Sequence, residues 1–167
     1  MSRWTLIEEI RARRARERGA VFREGPRRVA LVYPSPYRAG MSSLGFQWIL
    51  SLLRDGGVAA ERAFLPDDVD EAARTRAGVS TYETGASLSS FPLLGVSLAY
   101  ELELVGLIRC LELSGLAPLS QDRGPRDPLL LMGGPLTFSN PMPAAPFVDA
   151  MLLGEAEETV VPAVTAA

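Results

Sequence analysis

Side chains that could do acid–base or nucleophilic chemistry are few in this sequence. It contains no histidine and one cysteine, Cys110. Without histidine, neither a Ser-His nor a Cys-His pair can form, and no imidazole can ligate zinc, haem iron or cobalt. One cysteine excludes a disulfide within the chain and a cysteine-based metal cluster. Any chemistry must therefore come from a bound cofactor or from a part not present in this chain.

Carboxylates are the remaining candidates for acid–base chemistry or for binding a hard metal. They form three groups: Glu101 and Glu103; Glu155, Glu157 and Glu158; and Asp67, Asp68 and Asp70. A glutamate in the first turn of a helix commonly stabilises the helix N-terminus by its charge, and the aspartates lack the spacing of a metal-binding loop. We therefore expect structural glutamates, a solvated aspartate loop and a buried thiol at Cys110, with catalysis by a glutamate pair as the alternative.

The segment Leu31–Leu50 reads as a strand, a loop with two prolines and a glycine, and a helix. Gly40 and Gly45 have the spacing of a phosphate-binding loop, but the next two residues are FQ, where that loop requires Lys and Ser or Thr. What remains is a helix N-terminus with free amides and the hydroxyls of Ser42 and Ser43, which suits a phosphodiester or an amide-rich ligand. The alternative is that one serine is only the helix N-cap.

Apolar runs typical of buried strands alternate with helical patterns along most of the chain. The predicted strands are Arg28–Tyr33, Val58–Leu65, Leu93–Leu98, Pro128–Met132 and Ala150–Leu153. This alternation implies right-handed crossovers and a parallel sheet. We predict an α/β fold with a doubly wound, five-stranded, mostly parallel sheet, flavodoxin-like or Rossmann-like, of strand order 2-1-3-4-5 and with an extra N-terminal helix.

Two helical patterns lie between these strands. Ser42–Leu53 has Leu44, Trp48 and Leu52 on one face, which we expect to be buried, and Tyr100–Leu113 is amphipathic.

Polar residues set further segments apart. Glu61 and Arg62 in the second strand suggest a sheet edge. Residues 67–90 are polar and poorly periodic, so we expect a long excursion with one helical turn.

An Arg-rich helix and linker occupy residues 1–26, and the sequence EGP marks a boundary before a domain of residues 27–167. Since glutamates are interspersed among its arginines, we expect a solvated helix, with phosphate or RNA binding as the alternative.

Three predicted loops share one edge of the sheet: residues 34–45, 133–143 and 154–158. Glycine in these loops allows a positive φ or a close approach of the backbone to a ligand, while proline fixes the path of the chain. In a doubly wound sheet, ligands bind at the carboxyl ends of the strands near the switch point, here between strands one and three. The three loops therefore predict a binding rim.

Composition limits the partners of the protein. The 167 residues carry a formal net charge of −3, and all 17 basic residues are arginines. This balance does not predict nucleic-acid binding, which favours a basic face and a high pI. The N-terminus lacks a signal-peptide pattern, and no apolar run has the roughly 18 residues of a membrane span. We expect a cytoplasmic protein with no nucleic-acid or membrane partner.

Four stretches, taken in order, resemble a known family. They are RVALVYPSPYRAGMSSLGFQWILSLL, AERAFLPDD, FPLLGVSLAYELE and LLLMGGPLTFSNPMPAAPFVDAMLLGEAEE, and the resemblance covers residues 27–161. They look like the N-terminal cobalamin-binding-type domain of B12-binding radical SAM proteins, in the group whose first loop reads YPxxYxxGMSxLG.

The resemblance implies a Rossmann-like domain whose strand-end loops hold the lower face and nucleotide tail of cobalamin. It also implies a partner, in cis or in trans: a radical SAM catalytic domain with a [4Fe–4S] cluster and S-adenosylmethionine. The cofactor-binding residues that it implies are Gly40, Met41, Ser42, Ser43, Ser97, Leu98, Gly133, Gly134, Pro135, Gly154 and Glu155.

Two departures from the related patterns bear on function. The Asp-x-His-x-x-Gly loop, whose histidine ligates cobalt in methionine synthase and the mutases, is replaced by PSPY, so cobalamin would bind without a histidine ligand. The radical SAM motif C-x-x-x-C-x-x-C is missing, and one cysteine cannot supply the three thiolates that hold the cluster. We therefore expect the chain to lack catalysis of its own and to be a fragment, a truncated product or an accessory domain.

Two functions remain open at this point. The first is a cobalamin-binding-like module that positions a corrin beside a catalytic barrel not present in this chain. The alternative is the same fold without cofactor, acting as a docking domain for a radical SAM partner. A nucleotide-dependent enzyme is disfavoured because the phosphate motifs fail and the catalytic groups are missing.

Overall fold

Five parallel strands form the centre of the computed structural model, which describes residues 3–19, 22 and 24–167. The strands are β1 (Arg28–Tyr33), β2 (Ala59–Phe64), β3 (Leu93–Ser97), β4 (Leu129–Gly133) and β5 (Ala150–Met151). Their order is β2-β1-β3-β4-β5, and every pairing is parallel. The α/β class and the strand order predicted from the sequence are confirmed.

Helices flank the sheet in the described part of the chain. The α-helices are α1 (Arg3–Arg14), α2 (Tyr37–Ser42), α3 (Leu44–Asp55), α4 (Val69–Thr75), α5 (Glu103–Leu113) and α6 (Val160–Ala166). Short 3-10 helices lie at Leu88–Ser90, Ser120–Asp122, Pro135–Phe138 and Met142–Phe147. None of the helices described here has the length and apolar character needed to cross a lipid bilayer.

Alternate side chains of β1 enter two hydrophobic clusters, one on each face of the sheet. Ala30 and Val32 pack in a cluster that includes residues of α5. Val29, Leu31 and Tyr33 pack in the other cluster, with residues of α3 and α6. The nearly continuous apolar run of β1 is thus the pattern of a strand covered on both faces.

The helix predicted from residue 42 to 53 corresponds to α3, and a separate short helix, α2, precedes it and ends at Ser42. The Ser43 hydroxyl accepts a hydrogen bond from the Phe46 amide at 3.3 Å and so caps α3. The face predicted to be buried is wrong, because Leu44 and Trp48 are 81% and 53% exposed. A neighbouring stripe of α3 is buried instead: Phe46, Leu50 and Leu53.

Strand β2 lies at the edge of the sheet, as predicted, but its polar residues are buried. Glu61 and Arg62 are 0% and 2% exposed. The Tyr82 amide donates to the Arg62 carbonyl at 2.8 Å, and the Thr81 hydroxyl donates to Glu61 Oε2 at 2.6 Å. The excursion of residues 67–90 is therefore an ordered cover for the sheet edge, and α4 lies within it.

One face of α1 packs against the sheet domain, so the expectation of a solvated helix is wrong for that face. Leu6 and Ile10 belong to the hydrophobic cluster that contains α3 and α6. After α1, both carboxylate oxygens of Glu17 accept hydrogen bonds from Arg62, at 2.9 and 2.8 Å. The domain boundary in the linker stays a prediction, and residues 20, 21 and 23 of that linker lie outside the described residues.

Candidate functional site

A cavity of about 360 Å³ lies between the sheet and the helices α3 and α6. Leu31 of β1, Gly95 of β3 and Leu131 of β4 line it from the sheet, and Phe46 and Val160 line it from the helices. It includes the carboxyl ends of β3 and β4, next to the point where the strand order reverses between β1 and β3. The cavity therefore occupies the region in which doubly wound sheets bind ligands.

Two glycines on the sheet leave room for this cavity. A Cβ atom on Gly133 would meet no atom within 4 Å, and one on Gly95 would lie 3.2 Å from Cδ1 of Leu31. Larger side chains at these positions would take up the space between the sheet and the helices. The cavity thus depends on glycine where a buried parallel strand ordinarily carries a branched apolar side chain.

The lining of the cavity is mostly apolar, with a few polar groups. Hydroxyl groups come from Tyr33, Ser43 and Ser97, and carboxylates come from Glu155 and Glu157. No arginine is among the described residues that line the cavity. A phosphate would find no cation here, whereas a neutral or positively charged ligand would meet no like charge.

Seven of the residues implied in cofactor binding line this one cavity: Ser43, Ser97, Gly133, Gly134, Pro135, Gly154 and Glu155. They come from the start of α3, the end of β3, and the loops after β4 and β5. The other four lie outside its lining: Gly40, Met41, Ser42 and Leu98. The structure therefore gathers the predicted rim around β3, β4 and β5 but leaves α2 apart from it.

The residues outside the lining make packing contacts of their own. A Cβ atom on Gly40 would lie 2.3 Å from Cε1 of Phe64, so only glycine permits this contact. The Ser42 hydroxyl donates to the Arg38 carbonyl at 2.7 Å, and Leu98 is fully buried. A part for these residues in binding stays a prediction.

Comparison with protein families identifies the kind of domain that contains this cavity. The family described as "Radical SAM proteins, N-terminal" matches residues 45–167, from the first turn of α3 through α6. The chain belongs to this family. No curated protein shows a significant match to it. The matched region of this radical SAM N-terminal domain contains every element that encloses the cavity except β1. Membership of the family supports an association of this chain with a radical SAM protein.

Several cavity residues of the radical SAM N-terminal domain were not found from the sequence. Trp48 Nε1 donates a hydrogen bond to Glu157 Oε1 at 3.2 Å, which connects α3 with the loop between β5 and α6. The sequence did point to Glu157, because it belongs to the glutamate group after the fifth strand. It did not point to Trp48, which was assigned to the buried face of a helix. Of the other aromatic lining residues, Tyr33 was assigned only to a strand, and Phe46 and Phe138 carry no polar group that could signal a site.

Glu103 of the radical SAM N-terminal domain has a structural role, as expected. It is buried and accepts hydrogen bonds from the Ala99 amide at 2.6 Å and from the Ser35 hydroxyl at 3.4 Å. It thereby joins the loops that follow β1 and β3. Burial and the neighbouring Glu103 carboxylate raise the pKa of Tyr33 to about 12, so this hydroxyl stays protonated at neutral pH.

Reactive groups are scarce in the described part of this radical SAM N-terminal domain. Burial raises the pKa of the Cys110 thiol to about 12, which leaves no thiolate for nucleophilic attack or metal binding. Asp68 accepts a hydrogen bond from the Glu71 amide and caps α4, so the aspartate loop is not merely solvated. Within residues 3–19, 22 and 24–167, no group of three or more potential ligands could hold a metal ion.

Proposed function

We propose that this domain binds cobalamin for a radical SAM protein, with the base and sugar of the cofactor's nucleotide end in the cavity and its phosphodiester and corrin ring outside it. The observation that supports the proposal is the cavity itself. It lies beside the switch point of the sheet, glycine leaves it open, and residues implied by the cobalamin-binding resemblance line it.

The lining of the cavity fits the base and sugar of the nucleotide end of cobalamin. Its volume of about 360 Å³ is near the lower end of the roughly 300–1,000 Å³ typical of small-molecule sites, which suits a base and its sugar but not a whole corrin. Phe46 and Leu131 offer apolar surface to a planar ring. A nucleoside triphosphate fits poorly, because its charges would need cations that the described lining does not provide.

The residues of this chain would hold and orient the cofactor without ligating its cobalt. The hydroxyl of Ser97 and the loop backbone at Gly133 and Gly154 line the space that the cofactor would enter. The sequence has no histidine, so no imidazole of this chain would ligate the cobalt. When bound, cobalamin supplies radical or group-transfer chemistry that these side chains do not offer. The [4Fe–4S] cluster and S-adenosylmethionine would belong to a catalytic domain with three cluster-binding cysteines.

Binding of hydroxocobalamin tests the proposal. The protein is mixed with hydroxocobalamin, passed through gel filtration and titrated with detection by visible absorption. We expect the cofactor to elute with the protein. We expect Gly133→Leu to weaken binding about tenfold or more, a change of about 1.4 kcal/mol in binding free energy, because the new side chain would fill the cavity.

Gly124→Leu provides a matched control for this substitution. Gly124 precedes β4, and a Cβ atom there would approach only Oδ2 of Asp127, at 3.9 Å. This variant should bind hydroxocobalamin as the unaltered protein does, and circular dichroism shows whether both variants are folded. Failure of the cofactor to elute with the unaltered protein, or equal affinity of the two folded variants, would contradict the proposal.

A further inference from the structure

Exposed apolar side chains are concentrated at one end of the molecule. Among the described residues, ten large apolar side chains are exposed. Trp4 and Leu129 lie elsewhere, and Met142 begins a 3-10 helix that packs against Ser120–Asp122, which precedes β4. Seven lie in the loops, or in the first two helical turns, that follow the carboxyl ends of β1, β3, β4 and β5: Leu44, Trp48, Tyr100, Leu102, Val105, Phe138 and Leu153. We call this end of the sheet the apolar edge.

Part of the apolar edge borders the cavity. Trp48 and Phe138 line the cavity directly. Leu44 lies between two lining residues along the chain, and Leu153 immediately precedes a third, Gly154. Exposed apolar side chains that share one edge of a sheet mark a site of interaction with another molecule, since water contact with such a surface is unfavourable.

The charges at the apolar edge restrict the kind of molecule that covers it. Four exposed glutamates lie in its loops: Glu101, Glu155, Glu157 and Glu158. Arg38 of α2, which follows β1, is an exposed basic residue. An acidic edge repels nucleic acid and anionic lipid, which bind basic surfaces. A second copy would bring two acidic edges together, so a protein surface that combines apolar and basic residues is the better complement.

We propose that the apolar edge docks on the catalytic domain of the radical SAM protein, against a surface with apolar and basic residues. The family match supports that domain as the partner, and the distribution of apolar side chains indicates where the contact lies. The cavity would then open toward the catalytic domain. The inference depends on the family and not on the identity of the cavity's ligand, so it can hold even where cobalamin binding fails.

Site-specific photo-cross-linking tests this inference. The photoreactive residue p-benzoylphenylalanine replaces Phe138, which is 69% exposed at the apolar edge, or Leu129, which is 47% exposed at the start of β4. Cells that produce the protein with the photoreactive residue at either position are irradiated, and cross-linked peptides are identified by mass spectrometry. We expect position 138 to give at least fivefold more cross-linked product than position 129. Its partner peptides should belong to a polypeptide or region with the C-x-x-x-C-x-x-C motif.

Charge reversal provides a second measurement. Glu101→Arg combined with Glu158→Arg should reduce the cross-link from position 138 several-fold. The control pair, Glu24→Arg with Asp122→Arg, lies before β1 and β4 at the opposite end of the sheet and should leave it unchanged. Three outcomes overturn the inference: cross-links to a second copy or to a protein without that motif, equal yield from the two positions, and equal effects of the two charge reversals.

Discussion

At the scale of single residues, Arg62 is a charged side chain enclosed at the sheet edge. Its guanidinium donates to both carboxylate oxygens of Glu17 and to Glu83, at distances of 2.8 to 2.9 Å, and its side chain is 2% exposed. A buried charge is tolerated when its partners are in place, and removal of one partner leaves the other uncompensated. Glu17, three residues after α1, is therefore part of the folded structure.

Glu17→Gln tests the strength of this network and its dependence on pH. Burial would raise the pKa of Glu17, but hydrogen bonds from Arg62 and Tyr37 outweigh it, so the pKa lies below its ordinary value of 4.5. A carboxylate with a lowered pKa stabilises the fold above its unfolded-state pKa and loses that contribution as the pH falls through its folded-state pKa. We expect the variant to lose about 3 kcal/mol of unfolding free energy at neutral pH, and less in acid, in urea unfolding experiments.

Glu8→Gln is the matched control for Glu17→Gln. Glu8 pairs with Arg11 on an exposed face of α1 at 2.9 Å, and such pairs contribute about 0.5 kcal/mol or less. If both variants unfold at the same urea concentration, Arg62 does not depend on Glu17 as described.

Arg76 has a backbone conformation that side chains rarely adopt. It ends α4 in the left-handed region, with φ of 52° and ψ of 37°, which costs a residue with a Cβ atom about 1 kcal/mol. We expect Arg76→Gly to raise the unfolding free energy by up to about 1 kcal/mol, measured by urea unfolding. Arg74→Gly, inside α4, should lower it by a similar amount. A loss of stability in Arg76→Gly would contradict the assigned conformation.

At the scale of elements, the start of α3 fixes the position of the cavity wall. Ser43 caps this helix by accepting a hydrogen bond from the Phe46 amide, and Phe46 lines the cavity. We expect Ser43→Ala to destabilise the protein by about 1 kcal/mol in thermal or urea unfolding, and Ser43→Asp to preserve most of the stability.

Ser42→Ala distinguishes the cap from the neighbouring hydroxyl. Ser42 donates back to a carbonyl of α2 and does not cap α3, so its loss should cost less than the loss of Ser43. A larger effect at Ser42 would show that the helix begins elsewhere.

The strands could be predicted from the sequence, but the faces of α3 could not. Strand β1 is buried on both faces, so a continuous apolar run sufficed to place it. In α3, two stripes have helical spacing, one through Leu44 and Trp48 and one through Phe46 and Leu50. Periodicity cannot choose between them, because the choice depends on a sheet surface formed by residues distant in the chain.

At the scale of the whole molecule, long-range contacts explain what sequence analysis missed. Residues 67–90 show no period because their order depends on contacts with β2, such as the hydrogen bonds from Thr81 and Thr84 to Glu61. The candidate site was predictable where glycine loops follow strands, as after β4 and β5. It was not predictable at α2, because Gly40 meets Phe64, which lies in the next strand along the chain.

The two adjacent glycines at the end of β4 are under two different structural constraints. Gly134 has a φ of 106°, and a Cβ atom there would lie 2.6 Å from the carbonyl oxygen of Leu98, so any folded relative with this loop must keep it. Gly133 has open space where its side chain would be, so the fold alone does not require glycine there. Among descendants of a common ancestor, drift at position 134 would mark loss of the fold. Drift to large residues at position 133 would mark a lineage in which the fold survived and the ligand was abandoned.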